Sequence, residues 1–399
     1  MIILGSTGSI GVQTLDVVDH LGRLHEAGRF PFRYEVVGLA AGSNVAALRA
    51  QADRLGVRQV ALAAHAGSAA PAGWLVGENA AETLVREVPC DLVVASIVGI
   101  AGLPATLAAV ELGRDVALAN KETLVAAGEI VIPAARRSGS RLLPVDSEHS
   151  GVWQAIAGVR LSDPAWCSPI IAPADIARVI LTASGGPFRE WSAAQIASAT
   201  PAQALRHPVW NMGPKVTVDC ASLMNKGLEL IEAHWLFGLG ADRLGAIIHP
   251  QSRVHAIVEL CDGSTLTQVG PPDMRSPIQA ALAWPHRAPA PAHQFEGGHT
   301  MTHTFEPADE QRFPALGLAR RAIIAGGTAG AILNAANEVA VQAFLGEQIP
   351  FGMITRAVAH VMDLIPSSPV CSLADVLAAD ASARAAAQAF LHRPEPARR

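Results

Sequence analysis

The chain starts with an apolar run, Met1–Leu4, that leads directly into Gly5-Ser6-Thr7-Gly8-Ser9-Ile10-Gly11. Apolar residues then recur at helical spacing as far as Leu24. Strand, glycine turn and helix in that order form the first half of a βαβ unit, and a parallel strand returns only through such a crossover. The pattern repeats. Apolar strands are expected at 34–42, 60–64, 91–99, 115–122 and 141–150, with helical stretches at 44–56, 103–112 and 124–137. Strands alternating with helices predict an α/β fold: an N-terminal Rossmann-like, doubly wound parallel sheet over residues 1–146.

Beyond that point the rhythm changes. Residues 177–186 and 246–270 contain strands with hairpin signals, Asp262-Gly263 among them, and helical patches lie between. A central α+β catalytic domain is expected over 147–284. Residues 285–299 are rich in Pro, Ala and Gly, so 285–312 reads as a linker. A small C-terminal helical domain is expected over 313–391, with Asn334 as an N-cap, followed by a loose tail at 392–399.

Bulk properties narrow the function. Half of the 399 residues are hydrophobic, 16% are charged, and the net charge is −5. A large core is therefore possible, and nucleic acid is not expected as a partner. The five cysteines are odd in number and form no C-x-x-C, which reads as reduced thiols. No signal-peptide pattern and no apolar run of about 18 residues is seen, so a cytoplasmic protein with no membrane partner is expected.

Five stretches carry chemistry. Glycines after a first strand let a backbone approach a pyrophosphate at a helix N-terminus. The end of the second strand reads Gly42-Ser43-Asn44, with no carboxylate for a ribose hydroxyl. That favours NADP over NAD, with Arg49 as a distant phosphate partner. Asn120, Lys121 and Glu122 sit at the carboxyl end of an expected parallel strand, where ligands bind in open α/β sheets. Asp146 and Glu148, two apart on an expected strand, would share a face and repel unless a cation lies between them. Asn225 and Glu229 are i and i+4 on a helix, with Lys226 beside them. Asp146, Glu148 and Glu229 would make an all-oxygen site suited to Mg²⁺ or Mn²⁺. Ser184 precedes two glycines, an anion-binding turn. His207, Trp210 and Met212 fall in a segment broken by Pro208 and Pro214, a loop able to cover a substrate. His299 and His303 share helical spacing but are read as structural or solvent-exposed.

In family order from residue 5 to 338, the motifs GSTGSIG, ANKE, VDSEHS, SGGPFR, HPVWNMG, MNKGLE, IHPQS, PDMR and NAANE resemble those of 1-deoxy-D-xylulose 5-phosphate reductoisomerases. The resemblance implies NADPH-dependent rearrangement and reduction of that sugar phosphate to 2-C-methyl-D-erythritol 4-phosphate in the non-mevalonate isoprenoid pathway, and a homodimer. It implies that Thr7, Gly8, Ser9, Ile10, Gly42, Ser43, Asn44, Asn120, Glu122 and Gly213 contact NADPH. Asp146, Glu148 and Glu229 would hold Mg²⁺, Mn²⁺ or Co²⁺. Lys121, Ser147 and Glu148 would contact the substrate chain, and Ser184, His207, Asn225 and Lys226 its phosphate. Trp210 and Met212 would lie on a lid, with Met274 near substrate or nicotinamide. There are departures. Cys220, a weaker donor, stands where the family has a phosphate-binding serine, so either phosphate affinity falls or Ser222 or water compensates; Ser43 stands where a basic residue is frequent, and Pro214 where a basic residue is common. A related NADP-dependent sugar-phosphate dehydrogenase is the alternative, but that branch lacks the carboxylates of VDSEHS and MNKGLE.

Overall fold

The computed structural model describes residues 1–63, 70–159, 167–170, 174–210, 212–291 and 300–392. His299 and the tail from 393 onward lie outside the described residues, as does residue 211. Among the described residues, seven parallel strands form the first sheet: β1 (Ile2–Leu4), β2 (Gly38–Ala41), β3 (Gln59–Leu62), β4 (Leu75–Val76), β5 (Leu92–Ala95), β6 (Asp115–Leu118) and β7 (Leu142–Pro144). Their order is β4-β3-β2-β1-β5-β6-β7, with crossovers through α1 (Ser9–Glu26), α2 (Val45–Leu55), α3 (Ala80–Glu87), α4 (Leu103–Glu111) and α5 (Lys121–Ser138). Apart from the short edge strand β4, the strands are mostly apolar and buried, as a sheet covered on both faces requires. The two-residue β4 has no expectation in the sequence pattern.

The order reverses between β1 and β5, which opens a crevice at their carboxyl ends. The glycine turn crosses that crevice. Gly5 has φ +81, and a Cβ there would lie 2.5 Å from the Ser96 carbonyl oxygen after β5. A Cβ at Gly11 would lie 2.4 Å from the Gly5 carbonyl oxygen. Both glycines thus close-pack the turn against its neighbours. Gly8 is the N-cap of α1 and no side chain caps that helix, so its first-turn amides face outward without an acceptor.

Helix α6 (Ser147–Val159) leads from β7 toward a mixed second sheet of order β11-β10-β8-β9-β12. Its strands are β8 (Ile176–Ala183), β9 (Leu244–Ile248), β10 (Val254–Leu260), β11 (Thr265–Val269) and β12 (Glu306–Pro307). Gly263, at φ +85, turns the β10–β11 hairpin at the expected Asp-Gly. Within the expected linker, β12 pairs with β9. Between β8 and β9 come α7 (Ala193–Ala197), α8 (Pro201–Ala204), α9 (Pro214–Ala221) and α10 (Met224–Phe237); α11 (Arg275–Ala283) follows β11. The C-terminal helices are α12 (Ala315–Ala325), α13 (Ala329–Leu345), α14 (Met353–Leu364) and α15 (Leu373–Leu391).

Two local expectations are corrected. Asn334 is not an N-cap. It is fully buried inside α13, where its Nδ2 donates to Glu338 Oε1 at 3.0 Å, because the helix already begins at Ala329. Asp146 and Glu148 are not on a strand. The strand ends at Pro144, Asp146 follows it, and Glu148 is in the first turn of α6. The two carboxylates converge because a strand end meets a helix start.

Candidate active site

A cavity of about 840 Å³ opens at the switch point between β1 and β5 and extends to the second sheet. Gly8, Ser9 and Ile10 line one end, with Asn120, Lys121 and Glu122 next to them. Asp146, Ser147, Glu148, Asn225, Lys226 and Glu229 form its middle. Ser184, His207, Trp210, Met212, Gly213, Cys220 and Met274 complete it. Thr7, Gly42, Ser43 and Asn44 do not line this cavity. The last three are exposed just beyond β2, and the Asn44 side chain caps α2 by accepting from the Ala47 amide at 3.1 Å.

The carboxylates gather at the centre. One oxygen from each of Asp146, Glu148 and Glu229 lies within 4.8 Å of the others. Two ammonium groups are interleaved with them. Lys121 contacts Asp146 and, at 3.0 Å each, Glu229 Oε1 and Asn225 Oδ1. Lys226 lies 2.7 Å from Glu148 Oε1 and also contacts Glu229. Burial pushes Asp146 up, but the adjacent Lys121 outweighs it and holds the carboxyl well below its usual range. Glu229 is raised, first by burial and then by the charge of Glu148. An all-oxygen donor set that draws two buried ammonium groups between its members fits a hard divalent cation. The expected partnership of Lys226 with a phosphate is not the contact it makes here, since its Nζ lies on the carboxylates.

A second buried layer supports this centre. His149 Nε2 donates to the Glu229 carbonyl oxygen at 2.9 Å, and its Nδ1 faces Glu232 Oε2 at 3.5 Å. Both side chains are fully buried. His149 lies within VDSEHS, and Glu232 follows Glu229 by one helical turn.

At the far end, β8 runs into the Ser184-Gly185-Gly186 turn. Gly186, at φ +65, sits so close to α9 that a Cβ would lie 2.7 Å from the Cys220 carbonyl oxygen. Ser184 Oγ lies 3.1 Å from His207 Nε2. His207 Nδ1 accepts from the amides of Val209 and Trp210 at 3.2 and 2.9 Å, so Nε2 carries the proton and donates to Ser184. The Ser184 hydroxyl hydrogen is left free for an acceptor in the cavity. Burial lowers the His207 pKa to about 4, consistent with a neutral ring.

Cys220 faces the cavity, and burial pushes its thiol well above the ordinary range. Ser222 does not compensate for it. Its Oγ donates to the Asp219 carbonyl oxygen at 3.2 Å and accepts from the Met224 amide at 3.3 Å, away from the cavity. The Asn120 side chain is committed to the fold: Oδ1 caps α5 at the Thr123 amide and Nδ2 donates to the Ile97 and Gly99 carbonyls. His303 is structural, its ring against that of His249 at 5.5 Å.

Sequence reasoning missed several lining residues. Ser252, the last residue of IHPQS, and His255, on β10, line the cavity, and burial lowers His255 to about 4. Ser252 has φ +48, and Leu223, which also lines the cavity, has φ +58. Strained backbone of this kind gathers at functional sites. Lys215 also lines the cavity, joined to Glu122.

Comparison with known proteins gives a consistent result. Residues 1–128 match the family model for 1-deoxy-D-xylulose 5-phosphate reductoisomerase. Residues 142–237 match the model for that enzyme's C-terminal domain, and 269–386 the DXP reductoisomerase C-terminal domain. The chain is 46% identical over 392 residues to the 1-deoxy-D-xylulose 5-phosphate reductoisomerase of Gloeobacter violaceus, covering 96% of this chain and 95% of the relative. It is 47% identical over 398 residues to that of Symbiobacterium thermophilum, covering 97% of each. Among solved structures, the Zymomonas mobilis enzyme in complex with NADPH superposes with a TM-score of 0.84 at 40% identity, covering 98% of this chain and 99% of the other. A DOX-P reductoisomerase with NADPH, fosmidomycin and magnesium superposes with a TM-score of 0.85 at 35% identity, covering 98% and 97%.

Proposed function

The chain belongs to the 1-deoxy-D-xylulose 5-phosphate reductoisomerase family, and from that premise we propose how its own residues divide the work. The protein is an oxidoreductase that converts 1-deoxy-D-xylulose 5-phosphate to 2-C-methyl-D-erythritol 4-phosphate with NADPH and a divalent cation. One observation carries the assignment of roles. The uncapped start of α1, the three carboxylates and the Ser184–His207 pair all open into one cavity.

The amides of Gly8, Ser9 and Ile10, flanked by Thr7, would hold the NADPH pyrophosphate, and Gly42, Ser43 and Asn44 would take its adenosine end. Asn120, Glu122 and Gly213 border its other end. Asp146, Glu148 and Glu229 hold Mg²⁺ or Mn²⁺, with Co²⁺ as a further candidate. When bound, the cation lowers the pKa of substrate oxygens and stabilises enolate-like charge, while NADPH supplies the reducing equivalent.

The remaining residues bind, orient and exclude water. The free hydroxyl hydrogen of Ser184 donates to the substrate phosphate, held in that direction by His207. Asn225 and Cys220 border the same subsite. Lys121 and Lys226 are kept as cations by their carboxylate partners and supply positive charge for an anionic substrate in an acidic chain. Ser147 and Glu148 take the substrate's hydroxyl chain. Trp210, Met212 and Met274 cover the reacting carbons, which strengthens each charge contact and protects an aldehyde from side reactions.

The domain division is 1–146 for the cofactor, 147–284 for catalysis with β12 contributed by the 285–312 connection, and 313–391 for the helical C-terminal unit. The protein works as a cytoplasmic homodimer. The five cysteines, none of them in a disulfide, suit a reducing compartment, and no described helix is long and apolar enough to cross a membrane. Mixing the purified protein with NADPH, Mg²⁺ and 1-deoxy-D-xylulose 5-phosphate tests the activity through loss of NADPH absorbance. Absence of metal-dependent oxidation would overturn it.

A further inference from the structure

Lys215 occupies an unfavourable place. It is the second residue of α9, where the helix dipole disfavours a cation, and its side chain is only 13% exposed. Burial alone would lower its pKa. The carboxylates of Asp219 and Glu122 outweigh burial and raise it. Its Nζ lies 2.8 Å from Glu122 Oε1 and 3.0 Å from Asp219 Oδ2. Asp219 Oδ1 accepts from Asn337 Nδ2 at 2.8 Å, and Glu122 Oε2 accepts from Asn120 Nδ2 at 3.2 Å. One ammonium group therefore ties together the first turn of α5 beside the parallel sheet, α9 of the central unit and α13 of the C-terminal helices.

Its position along the chain adds a second link. Gly213 caps α9 and Met212 lies one residue before it. The segment carrying His207, Trp210 and Met212 is fixed at one end by the His207–Ser184 hydrogen bond. At the other end it runs directly into Lys215. The substrate-facing side chains thus lie between a phosphate-side anchor and a cofactor-side anchor.

We propose that Lys215 is a positioning residue that sets Glu122 for the cofactor and ties the His207–Met212 side chains to that setting, so that cofactor and substrate binding are coupled through it. The inference rests on the reading of Glu122 as a cofactor contact. Without the ammonium group, Glu122 and Asp219 are buried like charges with no cation between them, and both α5 and α9 must adjust.

The test uses the full chain with Mg²⁺ and compares wild type, Lys215→Met, Lys215→Arg and Glu122→Gln. NADPH affinity is read from nicotinamide fluorescence. Substrate affinity is read alone and with saturating NADP⁺, which cannot reduce the substrate. In wild type, NADP⁺ tightens substrate binding. In Lys215→Met that tightening disappears and NADPH binds about tenfold more weakly. Lys215→Arg, which keeps the charge, restores most of both. A purely structural lysine would lower the melting temperature and leave the coupling of the folded fraction intact, which overturns the proposal. Lack of coupling in wild type overturns it as well. Where Lys215→Met does not fold, Glu122→Gln carries the test, and retention of full coupling in it overturns the relay. If Glu122→Gln leaves NADPH affinity unchanged while turnover is normal, the role of Glu122 itself falls, whatever Lys215 does.

Discussion

Ser184 and His207, on opposite sides of a 23-residue interval, share a 3.1 Å hydrogen bond whose direction is set by the other ring nitrogen. Because His207 Nδ1 receives two backbone amides, Nε2 must hold the proton, and Ser184 must accept rather than donate at that contact. The serine is therefore oriented for an anion before any anion arrives.

Ser184→Ala should raise the substrate KM about 10- to 100-fold, the loss of one hydrogen bond to a charged group, and change kcat far less. Steady-state kinetics with NADPH saturating checks this. A fall in kcat with KM unchanged would place Ser184 in the reacting step instead.

The same pair sets a pH expectation. His207 has a folded pKa of about 4, below the ordinary histidine value, because burial disfavours the charged ring. Between roughly pH 6.5 and 4 the unfolded chain therefore binds the proton and the folded chain does not. The contribution of His207 to stability is unaffected above pH 6.5 and falls as pH drops through that window. Carbon-13 labelling of the histidines, with the His207→Gln variant to assign the signal, should show a ring that titrates near pH 4. Titration near 6.5 would show that burial does not lower the pKa of this ring.

Glu229 is the buried member of the carboxylate set, 1% exposed, and the one that touches both Lys121 and Lys226. Glu229→Gln should abolish turnover, with NADPH affinity nearly intact, because the α1 turn is built without it. Chelating the divalent ions should reproduce that phenotype reversibly in wild type, with Mg²⁺ or Mn²⁺ restoring turnover. Parallel loss of NADPH binding and thermal stability would make Glu229 a structural residue.

Cys220 gives a prediction in the favourable direction. The thiol is a weak donor, it faces the cavity, and Ser222 is turned away in its own backbone contacts. Cys220→Ser should lower the substrate KM by several-fold, with kcat unchanged. An unchanged KM would show that the phosphate takes nothing from this position.

How far the sequence reveals the site depends on whether its signal is local. The glycine turn, the strand ends and the i,i+4 pair Asn225–Glu229 are legible, because backbone periodicity places them on one edge or one face. The geometry of Asp146 and Glu148 is not. Alternating polar residues after an apolar run look the same whether the strand continues or a helix begins, and only packing of α6 under the second sheet decides. Asn334 resembles a cap for the same reason: an asparagine that donates to Glu338 inside a helix carries no different local pattern. His255 and Lys215 lack any local mark. A histidine in a strand reads as core, and a lysine after a proline reads as a solvated helix start. Their roles arise from partners about 90 or more residues away in the case of Lys215 and Glu122, which differ by 93 positions.

Cofactor preference turns on the exposed corner after β2. Gly42 has no side chain there, and Asn44 is engaged as the cap of α2, so Ser43 is the side chain of that trio left to meet a 2′-phosphate. A hydroxyl offers one neutral hydrogen bond where a guanidinium would offer a paired, charge-assisted contact. Ser43→Arg should therefore lower the KM for NADPH by about tenfold and leave the KM for NADH nearly unchanged. Parallel assays with the two cofactors measure the ratio. If both KM values fall together, the arginine acts on the pyrophosphate rather than on the 2′-phosphate. If neither moves, the 2′-phosphate is held elsewhere, with Arg49 on the exposed face of α2 the next residue to change.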